Sequence, residues 1–194
     1  LFEAALVSAV DHGPQAPSIA TARMAVTCGV GLNNAMASAV NMLGDVHGGA
    51  GEQAVEFFHY VRRHEAAPAG AVEDWQAING KIIPGYGHRF HTPVDPRAPR
   101  LMTLVGEAAE NGIVDGAFRK IALAVEQHLC ERKGKPVPLN IDGTTAVIYA
   151  ELGFAPPLAR GLFCLSRSVG ILAHAWEQMQ QGGRNKGPTP PGYR

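Results

Sequence analysis

Apolar residues return at three- and four-residue steps along almost the whole chain, and the two-residue alternation of a half-buried strand is nearly absent. That periodicity puts one apolar stripe on each helical segment, and no other feature constrains the fold as strongly. In 52–65, Val55 and Phe58 face inward with Phe57 and Val61 beside them. In 117–132 the core candidates are Phe118, Ile121, Leu123, Val125 and Leu129. Helices are also expected over 1–10, 72–78, 101–110 and 163–181. Ser18 caps one that stops near Gly29, and Asn33 caps one that ends at Gly44. Asp142 opens another, closed by Gly153, and Pro156 and Pro157 form a further helical first turn. Met24, Met36 and Met42 read as core, 81–83 is the one modest strand signal, and the Gly/Pro/basic tail beyond 182 cannot pack by itself. The expected fold class is all-α.

With 194 residues, 46% of them hydrophobic, the chain is long enough for one sizeable core or a large and a small lobe. Seventeen basic residues balance 17 acidic ones. Nucleic acid needs a basic excess or stripe, so it is not the expected partner, and any anion site must rest on a few placed arginines. No apolar run approaches the roughly 20 residues that span a bilayer. Cys28, Cys130 and Cys164 are odd in number and far apart, which fits free thiols in a reducing, cytoplasmic setting. The chain opens at Leu1 inside a helical pattern, so a preceding N-terminal segment is expected.

Four polar loops interrupt the apolar background: DHGP at 11–14, VHGGAGE at 46–52, GYGHRFHTPVDPR at 85–97 and NIDG at 140–143. Each sets a titratable residue beside glycine, which lets the backbone turn tightly against a ligand. Each also reads as lying near a helix start, where free N–H groups disfavour a charged imidazole. His12, His47 and His88 are therefore expected neutral, and a neutral imidazole can donate to a carbonyl as an enol forms. Partial burial would raise Asp142 toward a useful general base. Arg97 and Arg167 can grip carboxylates. One carboxylate base, several neutral imidazoles and two arginines suit proton abstraction beside a carbonyl in a carboxylate-bearing substrate. The plain alternatives are turns, an N-cap at Asp142 and a structural ion pair in DPR. A metal site from His59, His64, His88 and His91 lacks paired ligand spacing, and none is expected.

Taken in order, these loops resemble the citrate synthase superfamily. VHGGAGE is similar to that family's LHGGANE, and PGYGHRFHTPVDPRA to its PGFGHRVYKxxDPRA, with the same step from His88 to Arg97. NIDG resembles NVD, and LFCLSRSVGILAHAWEQ resembles the LFxxSRxxGWxAHxxEQ helix. The resemblance implies an all-α, two-lobed homodimer with its site in the cleft. The large lobe would comprise 1–47 and 154–194, and the small lobe 48–153. His47 would hold the thioester carbonyl of acetyl-CoA, Asp142 would move a proton at its methyl carbon, and His88 would serve the oxygen of oxaloacetate. His12, Arg97 and Arg167 would bind the oxoacid, and the backbone of Pro84, Gly85, Tyr86 and Gly87 would bind coenzyme A, a substrate rather than a tightly held cofactor.

The chain also departs from the pattern. The family's third carboxylate-binding arginine falls on Gly187, with Arg184 and Lys186 close by. The Lys and Tyr of its GHRVYK fall on Thr92 and His91, and Gln15 stands near the position of an Asn. DHGP and the Asp142-Gly143 pair are similar instead to the citryl-CoA lyase module of ATP-citrate lyase. The preferred expectation is therefore cleavage of citryl-CoA to acetyl-CoA and oxaloacetate. The alternatives are citrate or 2-methylcitrate synthesis with thioester hydrolysis, and a CoA-binding protein without catalysis.

Overall fold

The computed structural model describes residues 1–64, 68–88, 91–185 and 187. Among them lie nine helices and no strand: α1 Phe2–Ser8, α2 Pro17–Thr27, α3 Leu32–Val40, α4 Ala50–Arg63, α5 Pro68–Asn79, α6 Ala98–Glu110, α7 Ala117–Lys133, α8 Ile141–Glu151 and α9 Pro156–Gln181. The strand signal at 81–83 does not materialise. The loop there makes only an isolated bridge between Tyr86 and Leu139.

The helix starts differ from the expected caps, for local reasons. Ala16 in extended conformation precedes Pro17, so Ser18 lies inside α2, and it is buried. Proline presets the first turn and its missing N–H is unneeded there. Gly31, not Asn33, precedes α3, which ends at Val40. Asn140 caps α8 by accepting from the Gly143 N–H, which leaves Asp142 free of that duty. The helices expected from Pro156 and from 163 are one 26-residue helix, α9. Helix α5 is longer than expected, beginning at Pro68, and α6 begins at Ala98.

Helix α4 shows why pattern predicts burial. Ala54, Val55, Phe57, Phe58 and Val61 are all buried, while acidic Glu52 and basic Arg62 and Arg63 sit at the ends that favour their charges. Helix α8 has no polar face: every residue from Gly143 to Ala150 is buried. Such a helix belongs at the centre, and α4, α6, α7 and α1 pack around it. These elements and the start of α9 form the larger apolar cluster. A smaller one joins α2, α3 and the later part of α9 through Ile19, Ala22, Ala35, Ala39, Ile171 and Ala175. Three expected core residues are exposed: Met24, Met42 and Leu123 are 62%, 47% and 38% accessible, while Met36 and Ile121 are half-buried. Met24 lies on the outward face of α2, Met42 lies in the turn after α3, and Leu123 lies off the buried stripe of α7.

Among the described residues no helix is long and apolar enough to cross a membrane. All three cysteines are free, Cys28 exposed and Cys130 and Cys164 half-buried.

Candidate active site

Three loops and the helices α4, α8 and α9 converge on a single cavity of about 210 Å³, lined by His12, Val46, His47, Gly48, Ala50, His88, Ile141, Asp142, Phe163 and Arg167. Their positions come from separate parts of the chain. His12 stands in the turn after α1, His47 just before α4, and His88 in the long loop between α5 and α6. Asp142 lies in the first turn of α8, and Phe163 and Arg167 lie one turn apart on α9.

His47 is held by a residue the sequence offered only as a helix cap. The Ser18 backbone N–H donates to His47 Nε2 at 3.1 Å, and Ser18 Oγ lies 3.0 Å from the same nitrogen. A backbone N–H can only donate, so Nε2 accepts. In the neutral ring the hydrogen then sits on Nδ1, on a side chain that lines the cavity. His88 is held in the opposite sense: the His91 N–H donates to its Nδ1 at 2.9 Å, which leaves the hydrogen on Nε2. The His12 and His88 rings lie 6.0 Å apart, and those of His88 and His91 4.3 Å apart.

All three cavity imidazoles titrate below their ordinary value. Loss of water around the ring is the main cause in each. The positive charge of Arg167 adds to it at His12 and His47, and that of His91 and then Arg97 at His88. The shift runs in the direction of the expected neutrality, but burial and nearby cations are its causes rather than a helix start. His88 is not at a helix start at all; α6 begins ten positions later.

Asp142 moves the other way. Burial raises its carboxyl above the ordinary range, against the pull of Arg167, Arg97 and His12, and the nearby Asp95 charge raises it further. Arg167 is 5% exposed. Its Nε donates to the Ala9 carbonyl at 3.2 Å, and its guanidinium lies 4.8 Å from the centre of the Phe163 ring. No described carboxylate comes within ion-pair distance of it. A buried cation without a carboxylate counter-charge is costly unless a ligand completes it.

Arg97 is not brought to the cavity wall. It caps α6 and lays its guanidinium on Asp95, with Nε and an Nη 3.0 and 2.9 Å from the two carboxylate oxygens. Asp95, fully buried, also accepts from the Arg97 and Ile141 backbone N–H groups. It therefore joins the 84–97 loop to the start of α8, one residue from Asp142. DPR in the sequence announced an acid-arginine pair, but only the fold shows where the third partner lies.

The same loop is sewn to α8 by its backbone. Asn140 N–H donates to the Gly85 carbonyl, the Gly87 N–H to the Pro138 carbonyl, and the Asn140 side chain to the Gly87 carbonyl. Pro84 and Gly85 are buried in this seam. Tyr86 points into the core, its hydroxyl donating to the Ala122 carbonyl. Tyr86 and Gly87 also border a second cavity, of about 200 Å³, with Lys81, Ile82 and Lys133 at its rim. Gly143 has a local reason to be glycine: a Cβ there would stand 2.3 Å from the Gly85 carbonyl oxygen. Among the described residues no group of three His, Cys, Asp or Glu is placed to hold a metal ion.

The family profile described as citrate synthase, C-terminal domain, matches residues 1–187. The citrate synthase of Haloferax volcanii is 30% identical over 180 residues, 92% of this chain and 46% of that protein. The chain spans about half the length, or less, of the curated relatives it matches. Among solved structures, citryl-CoA lyase from Hydrogenobacter thermophilus superposes with a TM-score of 0.81 at 33% identity, covering 99% of this chain and 77% of that one. ATP citrate lyase from Methanothrix soehngenii, in complex with citrate and coenzyme A, gives 0.79 at 27% identity, covering 94% of this chain and 31% of that one.

Proposed function

From the premise that the chain belongs to the citrate synthase family, we propose that it works on the carbon–carbon bond joining an acetyl thioester of coenzyme A to oxaloacetate, and that its reaction is cleavage of citryl-CoA. The observation that carries this reading is the shared cavity. It presents a carboxyl raised by burial, three imidazoles whose protonation burial disfavours and a buried guanidinium with no described carboxylate within ion-pair distance.

In cleavage, His88 takes the hydroxyl proton of citryl-CoA. The bond between the carbinol carbon and the thioester α-carbon breaks, and its electron pair moves onto the thioester as an enolate. The Nδ1–H of His47 stabilises that oxygen. Asp142, protonated, gives its proton to the α-carbon and acetyl-CoA results; the carbinol carbon becomes the ketone of oxaloacetate. Arg167 binds a carboxylate of the oxoacid and His12 lines its pocket. Arg97 acts through Asp95, shaping the loop and adding positive field. Coenzyme A lies along the backbone of Pro84, Gly85, Tyr86 and Gly87. The likeness to citryl-CoA lyase, with 77% of that chain covered, supports the direction. The proposal includes two lobes, 1–47 with 154–194 and 48–153, and a homodimer. The separate apolar cluster of α2, α3 and α9 supports the large-lobe unit.

One observation favours the reverse reading, citrate synthesis. His88 as found holds its hydrogen on Nε2, which suits donation to the oxaloacetate ketone; acting as the cleavage base requires it to give up the His91 N–H. The purified protein is given citryl-CoA in one assay, and acetyl-CoA with oxaloacetate in another, while free thiol and oxaloacetate are followed. Oxaloacetate from citryl-CoA without thiol release supports the lyase. Thiol release with citrate formation supports the synthase, and no turnover in either removes both.

A further inference from the structure

One face of α9 holds the segment that carries His12, tie by tie. Ser166 Oγ donates to the Leu6 carbonyl, and Arg167 Nε donates to that of Ala9. One turn on, Gly170 lets the backbones touch: a Cβ there would stand 2.1 Å from the Val10 carbonyl oxygen. One more turn on, His174 Nε2 lies 3.1 Å from Asp11 Oδ1. That same oxygen accepts the Gly13 N–H at 3.1 Å, so the Asp11 carboxylate closes the turn around His12. Neither Asp11 nor His174 lines the cavity.

The hydrogen of His174 is assigned by its neighbours. Arg23 Nη1 approaches Nδ1 at 3.5 Å and can only donate, whereas the Asp11 carboxylate accepts. Whenever the ring is neutral, its hydrogen therefore sits on Nε2 and is given to Asp11. Arg23 is itself held by Glu177 and by the Gln181 amide oxygen at 2.9 Å. A polar chain from Glu177 through Arg23 and His174 to Asp11 thus ends one residue from an imidazole in the cavity.

We propose that His174 is a positioning residue, which through Asp11 sets the His12 ring against His88 for the oxoacid part of the substrate. The role of His12 rests on the function proposed above; the geometry of His174 and Asp11 does not. A ring positioned for ground-state binding acts on KM more than on kcat.

The test uses His174→Ala, with His174→Gln as the conservative variant whose side-chain N–H2 can stand in for Nε2–H. Asp11→Ala removes the acceptor of both bonds from the exposed side, where folding is least at risk. His174→Ala and Asp11→Ala are expected to raise the KM for the oxoacid-bearing substrate about tenfold, with kcat changed by less than about threefold, and His174→Gln to recover most of the loss. In parallel, the imidazole NMR signals of His12 are expected to shift in both variants while those of His47 stay. A folded variant of either kind with wild-type KM and an unmoved His12 signal overturns the proposal. So does a loss of melting temperature with unchanged KM, which is what a structural bond alone would give. If the wild-type protein turns over neither substrate, the functional reading has failed, and the NMR comparison alone decides the positioning role.

Discussion

At the scale of single residues, Asp142 is where burial bears most directly on the proposed chemistry. Its folded carboxyl titrates above the ordinary 3.8, so the folded state holds that proton more tightly than the unfolded chain. Stability therefore falls as pH rises from the unfolded value through the raised one, and at neutral pH the ionised group is a liability. Asp142→Asn should lower kcat by about 10²–10⁴, as loss of a general acid-base group does. It should also raise the melting temperature at pH 7, with the gain shrinking as pH is lowered toward 4. A melting series across pH for both proteins checks the sign; a variant no more stable at neutral pH would mean the carboxylate is well paired. In the condensation direction, kcat/KM should decline on the acid side with an apparent pKa above 3.8. Arg97 and Arg167 should separate from each other. Arg97→Ala leaves fully buried Asp95 without its partner and should cost about 3–5 kcal/mol. Arg167→Ala removes a cation with no described carboxylate within ion-pair distance but also its tie to the Ala9 carbonyl, so its effect should fall chiefly on KM for the oxoacid, with a smaller loss of stability than Arg97→Ala. Denaturant titrations beside kinetics tell the two apart.

At the scale of elements, α8 and α9 do most of the assembling. The first turn of α8 holds Asp142, and it can approach the 84–97 loop only because Gly143 and Gly85 meet without side chains. Gly143→Ala should cost on the order of 1–3 kcal/mol through overpacking. Because the strain falls beside Asp142, kcat should drop even where the variant stays folded; wild-type turnover from a folded Gly143→Ala would dispose of this account. The motif in the sequence marked the glycine as unusual, but a turn, a ligand approach and a backbone contact all ask for glycine. Helix α9 was legible as apolar and periodic, yet it appeared as two segments because Pro156 and Pro157 read as a separate start. The prolines in fact occupy its own first turn. Along it, Arg160 pairs with Asp45 and Glu52 on either side of His47, and the next turns carry Phe163, Arg167, Gly170 and His174. One rigid helix thus sets the spacing between the His47 and His12 loops.

At the scale of the whole molecule, the two apolar clusters differ in size. The larger surrounds α8, whereas the smaller of α2, α3 and α9 is built chiefly from alanines. Less apolar area is withdrawn from water there, so local opening should need less free energy. Amide exchange in α2 and α3 is expected to be faster than in α4 and α8, and uniform protection would contradict it. Phe57→Ala, in the larger cluster, should cost about 3–5 kcal/mol by calorimetry. The sequence by itself determined the all-α class, the buried faces of α4 and most of α7, and which polar loops reach the shared cavity, because helical periodicity and Gly-flanked titratable residues are local properties. Only the tertiary structure decided that Ser18 orients His47, that Asp95 takes Arg97 for itself and that Asp11 leans on His174. Each of those is a contact between segments far apart in the chain, and a side chain's hydrogen-bond partner is set by what the fold brings beside it.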